Sequence, residues 1–186
     1  MSSLIHSFII SFVKALEAKD IYTAGHSDRV ADISEKLSKF MGLDKNICRE
    51  THIAAHLHDI GKIGIPDGIL LKTSKLSSGE FEVIKEHSVK GYEIIRDIED
   101  FQSIAKIVRH HHERFDGQGY PDKLIGNDIP LASAIIAVAD SFDAMTTTRS
   151  YKKSVSYKDA FEELEKNSGT QFNPEVVRHF LALYRK

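Results

Sequence analysis

THIAAHLHDIGK, residues 51–62, is the stretch on which the fold turns: an apolar helix that ends on an adjacent histidine and aspartate. His58 follows Ala54 by four residues and Asp59 follows Ala55 by four, so both polar groups come from a stretch with little polar company. Burying a carboxylate beside an imidazole is costly unless the two are hydrogen-bonded, charge-paired or metal-bound. Taken alone, the stretch leaves a structural pair and a metal site as equal alternatives. His56, two positions away, faces elsewhere on the helix and reads as structural or exposed.

The same helical period continues outward in both directions, with no alternating strand pattern and no internal repeat. It predicts helices near residues 3–19, 26–41, 45–59, 78–96, 100–113, 130–147, 157–167 and 174–185, hence an all-α fold. Ser77 with Glu80, and Ser156 with Asp159, have the spacing of a capping box, and Asn173 before Pro174 is a good helix start. Two connections, 60–78 and 114–129, are long for a helical domain, rich in glycine and proline, and each begins beside a candidate ligand pair. Long loops of this kind usually carry function.

A chain of 186 residues, 41% apolar, fits one compact domain whose core does not depend on bound metal. The net charge of -2 argues against bulk nucleic-acid binding, so phosphate recognition must rest on a few placed cations. The lone Cys48 has no disulfide partner and reads as a reduced core thiol of a cytoplasmic protein. Residues 4–16 are apolar but contain His6 and Lys14. They are too short to span a bilayer, and they lack the basic start and cleavage site of a signal peptide. No membrane insertion is expected. This segment reads as a first helix, or equally as the end of a helix leading from an upstream domain.

Seven candidate metal ligands are spread along the chain: His26, His58, Asp59, His87, His111, His112 and Asp140. Imidazole with carboxylate suits iron, manganese, zinc or nickel, whereas magnesium or calcium prefers mostly oxygen. So many such groups point to more than one ion. Each residue also has an ordinary alternative. Asp140, in the apolar run AIIAVAD, can pair with an arginine. His87 lies on the apolar face of its helix with Val83 and Ile84, where a lone histidine is more often a satisfied core residue. His26 opens its helix, as a capping or surface histidine does. His111 and His112 both look inward about 100° apart and are better placed to serve a metal pair than to chelate one ion, with His110 facing outward.

In their order, the segments YTAGHSDRV (22–30), HDIGKIGIPDGIL (58–70), HHERFDGQGYP (111–121), ADSFDAMTTTRSYK (139–152) and GTQFNPEVV (169–177) closely resemble the HD-GYP domain. This is a bacterial branch of the HD metallophosphohydrolase superfamily, and the resemblance runs from about residue 14 to the C-terminus. It implies one compact HD-type helical domain over residues 1–186, with 1–19 as an N-terminal helix and a buried binuclear metal site. The implied activity is hydrolysis of cyclic di-GMP to pGpG, in some members onward to GMP. His26, His58, Asp59 and Asp140 would hold one ion and His87, His111 and His112 the other, with Asp59 bridging. Iron or manganese is the implied occupant, although other divalent ions are accepted in the superfamily.

Two ions about 3.5 to 4 Å apart activate a bridging water as the nucleophile and stabilise charge on the transferring phosphorus. Lys62 completes an HDxxxK pattern and is expected on a phosphate oxygen, its ordinary alternative being a surface lysine at a helix end. Gly119, Tyr120 and Pro121 form a loop able to approach phosphate, and Asp143, Arg149 and Lys152 match substrate positions of the family, with Arg29 and Asp143 also orienting ligands. RSYK replaces the commoner RPYR, and Asn173 replaces an Asp, which puts substrate affinity in question more than metal binding. Tyr22 stands where some members carry a glutamate that helps hold a third metal, so a binuclear centre is expected. Two other readings stay open: hydrolysis of another nucleotide such as 3′,3′-cyclic GMP-AMP, and a slow or non-catalytic cyclic-dinucleotide receptor that binds protein partners. The N-terminal helix is the expected meeting point with an upstream sensory domain or a second copy of the chain.

Overall fold

The computed structural model describes residues 3–19, 25–148 and 154–185, with backbone alone for 3–6. Its helices are α1 (Ser3–Lys19), α2 (His26–Phe40), α3 (Lys45–Leu57), α4 (Asp67–Leu70), α5 (Ser78–Ile95), α6 (Gln102–His110), α7 (Leu131–Thr146), α8 (Tyr157–Lys166) and α9 (Pro174–Tyr184). Short 3-10 turns span Ile60–Gly64 and Gly126–Asp128, and the described residues contain no strand. Tyr22, Arg149 and Lys152 lie outside the described residues.

The expected starts are present. Ser77 and Glu80 form a reciprocal capping box, Ser156 accepts the Asp159 N–H, and Asn173 accepts two N–H groups ahead of α9. Two helices end earlier than their period predicts. α3 stops at Leu57 instead of residue 59, and α6 spans Gln102–His110 instead of 100–113. In both, the next residue is a histidine whose Nδ1 lies within hydrogen-bonding distance of a carbonyl three residues back, Ala55 at 2.6 Å for His58 and Val108 at 2.6 Å for His111. The ring satisfies a carbonyl that the helix end leaves free, and the backbone turns away.

α2 and α3 form an antiparallel pair joined by a short turn through Gly42, and α2 also packs on α7. α7 is apolar almost all round, as befits a central helix. Ala132, Ile136 and Ala139 join a core with α1, α2, α3 and α6, while Ile135, Val138 and Phe142 join another with α8 and α9. Its remaining edge carries Asp140 and Asp143 toward the start of α2. Cys48 is buried, and burial pushes its thiol pKa up, as suits an inert core thiol. No helix among the described residues is long and apolar enough to cross a membrane.

Candidate metal centre

Six of the seven predicted ligands converge as two groups, His26 with His58 and Asp140, and His87 with His111 and His112, the donor atoms of each group lying within 4.8 Å of one another. The seventh, Asp59, stands between them. Its Oδ2 is 3.4 Å from His58 Nε2 and its Oδ1 is 3.6 Å from His87 Nε2. One carboxylate therefore turns one oxygen toward each cluster.

The local devices that aim these rings are repeated. His58, His87 and His111 each place Nδ1 against the carbonyl three residues earlier, at 2.6, 2.7 and 2.6 Å. A carbonyl only accepts, so Nδ1 carries the proton and Nε2 is left with a lone pair facing the centre. His26 is oriented from another side: its Nδ1 lies 2.7 Å from Asp143 Oδ2 and its Nε2 lies 3.1 Å from Asp140 Oδ1. Asp143 is in turn held by Arg29 Nε at 2.6 Å and by the Thr147 hydroxyl at 3.1 Å.

The electrostatics favour a cation. Burial lowers the pKa values of His87 and His111, and burial together with neighbouring His87 pushes His112 down to about 3. All three are thus neutral at ordinary pH, as metal ligation requires. His87 Nε2 and His111 Nε2 then face each other at 3.3 Å, two acceptors with no proton between them. His58 Nε2 is fully buried and has no hydrogen-bond partner among the described residues. Such arrangements are expensive as they stand and natural once a divalent ion sits among the lone pairs. Burial opposes ionisation of Asp59 and Asp140, yet Lys62 and the histidines keep Asp59 charged and His26 keeps Asp140 charged, both well below the usual carboxylate range. Burial also opposes a charge on His26, but Asp140 and Asp143 overcome it and raise its pKa to about 9. The donor set of imidazole and carboxylate fits divalent metal ions.

Lys62 lies in the 3-10 turn, three residues after Asp59, and its Nζ is 2.7 Å from Asp59 Oδ2. The α-helix ends before it, and its N–H donates to the Asp59 carbonyl at 2.9 Å in 3-10 fashion. The glycine-rich loop folds back over the second cluster. A Cβ on Gly119 would stand 2.3 Å from Arg114 N, so only glycine permits this approach, and the Tyr120 ring lies against His112 with centroids 4.9 Å apart. Burial raises the Tyr120 pKa, so the phenol keeps its proton. Asp143 is buried with both oxygens engaged, which makes it an orienting group behind His26. His56 is buried 3.4 Å from Asp28, and His110 pairs with Asp122 at 2.8 Å, both away from the metal clusters. Sequence reading missed Glu113. It is buried, and its carboxylate accepts the Asp122 and Leu124 N–H groups and so pins the loop. A lone glutamate after three histidines gives no periodic signal that would find it.

The chain matches the HD domain family over residues 12–176. A cyclic di-GMP phosphodiesterase of Thermotoga maritima is 44% identical over 172 residues, 91% of this chain and 47% of that protein. A 3'3'-cGAMP-specific phosphodiesterase 2 of Vibrio cholerae is 38% identical over 175 residues, 93% of this chain and 34% of its own length. The chain thus spans half or less of the relatives it matches. A crystal structure of a cyclic GMP-AMP specific phosphodiesterase from V. cholerae superposes with a TM-score of 0.74 at 20% identity, covering 96% of this chain and 48% of that one, a likeness of fold. With two histidine clusters joined by the HD pair and a GYP loop beside them, the chain belongs to the HD domain family, in its HD-GYP branch.

Proposed function

We propose that this chain is a metal-dependent phosphodiesterase that opens cyclic di-GMP to pGpG. The observation that carries the reading is Asp59, which offers one oxygen to each of two histidine clusters. His26, His58 and Asp140 on one side and His87, His111 and His112 on the other would hold two divalent ions, iron or manganese, which when bound would supply Lewis acidity and lower the pKa of water. The residues of the chain do the rest. Asp143 and Arg29 fix the His26 ring, and three backbone carbonyls fix the tautomers of His58, His87 and His111. Lys62, whose ammonium neighbours Asp59, is placed to turn to a non-bridging phosphate oxygen. Gly119, Tyr120 and Pro121 form the wall against which the dinucleotide rests, and Arg149 and Lys152, which follow α7 in the sequence, are the cations assigned to its phosphates.

A phenol at Tyr22 is a poor replacement for a carboxylate, which favours two ions over three and a product that stops at pGpG. We place the protein in the cytoplasm, acting as one domain, with α1 as the attachment point for an upstream sensory domain or a second copy. A second reading, cleavage of 3′,3′-cyclic GMP-AMP by the same centre, is favoured by the 38% identity to a relative named for that specificity. The test is turnover of cyclic di-GMP, 3′,3′-cyclic GMP-AMP and pGpG by manganese- or iron-loaded protein purified without oxygen. Preferred conversion of cyclic di-GMP to accumulating pGpG is expected. Faster cleavage of the mixed dinucleotide would shift the reading to the second, and tight binding of cyclic di-GMP without hydrolysis would make the chain a receptor.

A further inference from the structure

We propose that the last turn of α1 is a clasp that positions the ligand His26 with Glu17 and the Lys62 turn with Lys19. α2 is preceded by Gly25, a left-handed residue with φ 67° that supplies no side-chain cap. The first N–H groups of a helix need acceptors, and His26 cannot provide one while its ring is committed to Asp140 and Asp143. Glu17 provides them from another helix. Its Oε2 accepts the Gly25 N–H at 2.9 Å and its Oε1 accepts the Ser27 N–H at 3.2 Å, one on each side of His26. A carboxylate there also suits the positive end of the α2 dipole.

Two residues further along α1, Lys19 donates to the carbonyls of Ile63 at 3.1 Å and Ile65 at 3.3 Å and pairs with Asp67 at 3.0 Å. These groups follow directly on Asp59 and Lys62. One turn of one helix therefore grips the backbone on two sides of the centre, while Ile9, Val13 and Leu16 anchor that helix in the core. His87, His111 and His112 come from α5 and the end of α6, away from the start of α2 that Glu17 holds, and meet the grip of Lys19 only through the Lys62 turn and Asp59. The consequence is an asymmetry in the part played by Glu17: it holds the backbone on both sides of His26 and none beside His87, His111 or His112.

The inference rests on the two-metal reading above, and its test separates the two. In metal-free Glu17→Ala protein, amide exchange followed by NMR is expected to speed at least tenfold at Gly25 and Ser27 and to stay unchanged in α6. Manganese titration is expected to keep one tight equivalent and weaken the other by more than tenfold. Glu17→Gln, which keeps an acceptor oxygen on the same stem, gives the same asymmetry at smaller size and serves if the alanine variant does not fold. Lys19→Met is expected to leave Gly25 and Ser27 protected and to speed exchange of the Ile65 amide. Unchanged exchange at Gly25 and Ser27, or equal weakening of both manganese sites in either Glu17 variant, overturns the clasp. Failure of the unaltered chain to bind any manganese overturns the two-metal reading instead, and the exchange rates still judge the clasp.

Discussion

Replacing Gly61 by alanine tests how closely the HD turn must approach α5. A Cβ on Gly61 would lie 1.9 Å from His87 O, 2.5 Å from Gly91 N and 2.8 Å from His87 C, all backbone. Real Cβ atoms keep at least 3.0 Å, so 3.0 − 1.9 leaves 1.1 Å to be made up by moving the turn or the helix. Neither yields easily, because Gly91 is itself close against Val108 and His87 is buried. Overpacking of this kind costs about 3 kcal/mol, the upper end of the usual range. For a domain of this size that lowers the melting temperature by about 6 to 12 °C. The same shift separates Asp59 Oδ1 from His87 Nε2, now 3.6 Å apart. A misplacement of about 1 Å at a reacting centre costs roughly 100-fold in rate. Calorimetry of the metal-free protein, metal analysis and cyclic di-GMP turnover on one preparation make the assay. Gly68→Ala is the control, since its added Cβ meets nothing within 4 Å among the described residues, and it should be neutral or slightly stabilising. A Gly61→Ala protein that melts with wild type, holds both ions and turns over within threefold of normal would refute the close-approach reasoning.

Asp59→Ala is expected to lose turnover and metal together while far-ultraviolet circular dichroism stays nearly unchanged, because the two cores do not include it; near-normal hydrolysis with bound metal would end the bridging assignment. Lys62→Ala should keep both ions and weaken catalysis by about 1 to 3 kcal/mol, the scale of one charge-assisted contact, read from kcat/KM beside metal analysis. Arg149→Ala should behave alike, and loss of metal in either variant would make that residue structural. Urea midpoints of the metal-free protein should fall on both sides of about pH 6.5. Toward acid, the unfolded chain binds a proton on His112 near pH 6.5 while the folded chain, with His112 held at about 3, does not, so about 2 kcal/mol is lost by pH 5. Toward base, His26, raised to about 9, contributes fully below about pH 6.5 and loses its contribution as pH climbs through 9; a midpoint flat from pH 5 to 9 would contradict both signs.

The sequence by itself determined the helices and the ligand candidates. A 3.6-residue period and local caps such as Ser77 with Glu80 act within a few residues, and an apolar run such as AIIAVAD makes Asp140 conspicuous because burying it alone is costly. Periodicity alone left the grouping of the ligands open; the family resemblance implied it, and the tertiary structure brings the two groups together with Asp59 facing both, ends α3 and α6 early, and sets the rings of His58 and His111 against the carbonyls of Ala55 and Val108. Only the tertiary structure decided the contacts of Glu17, Lys19 and Glu113, charged residues with no periodic signal of their own. The physical reason is range. Caps and amphipathic faces are set by neighbours in the chain, whereas a metal-ready lone pair or a borrowed helix cap exists only when packing brings together groups such as His26 and Asp143, 117 residues apart.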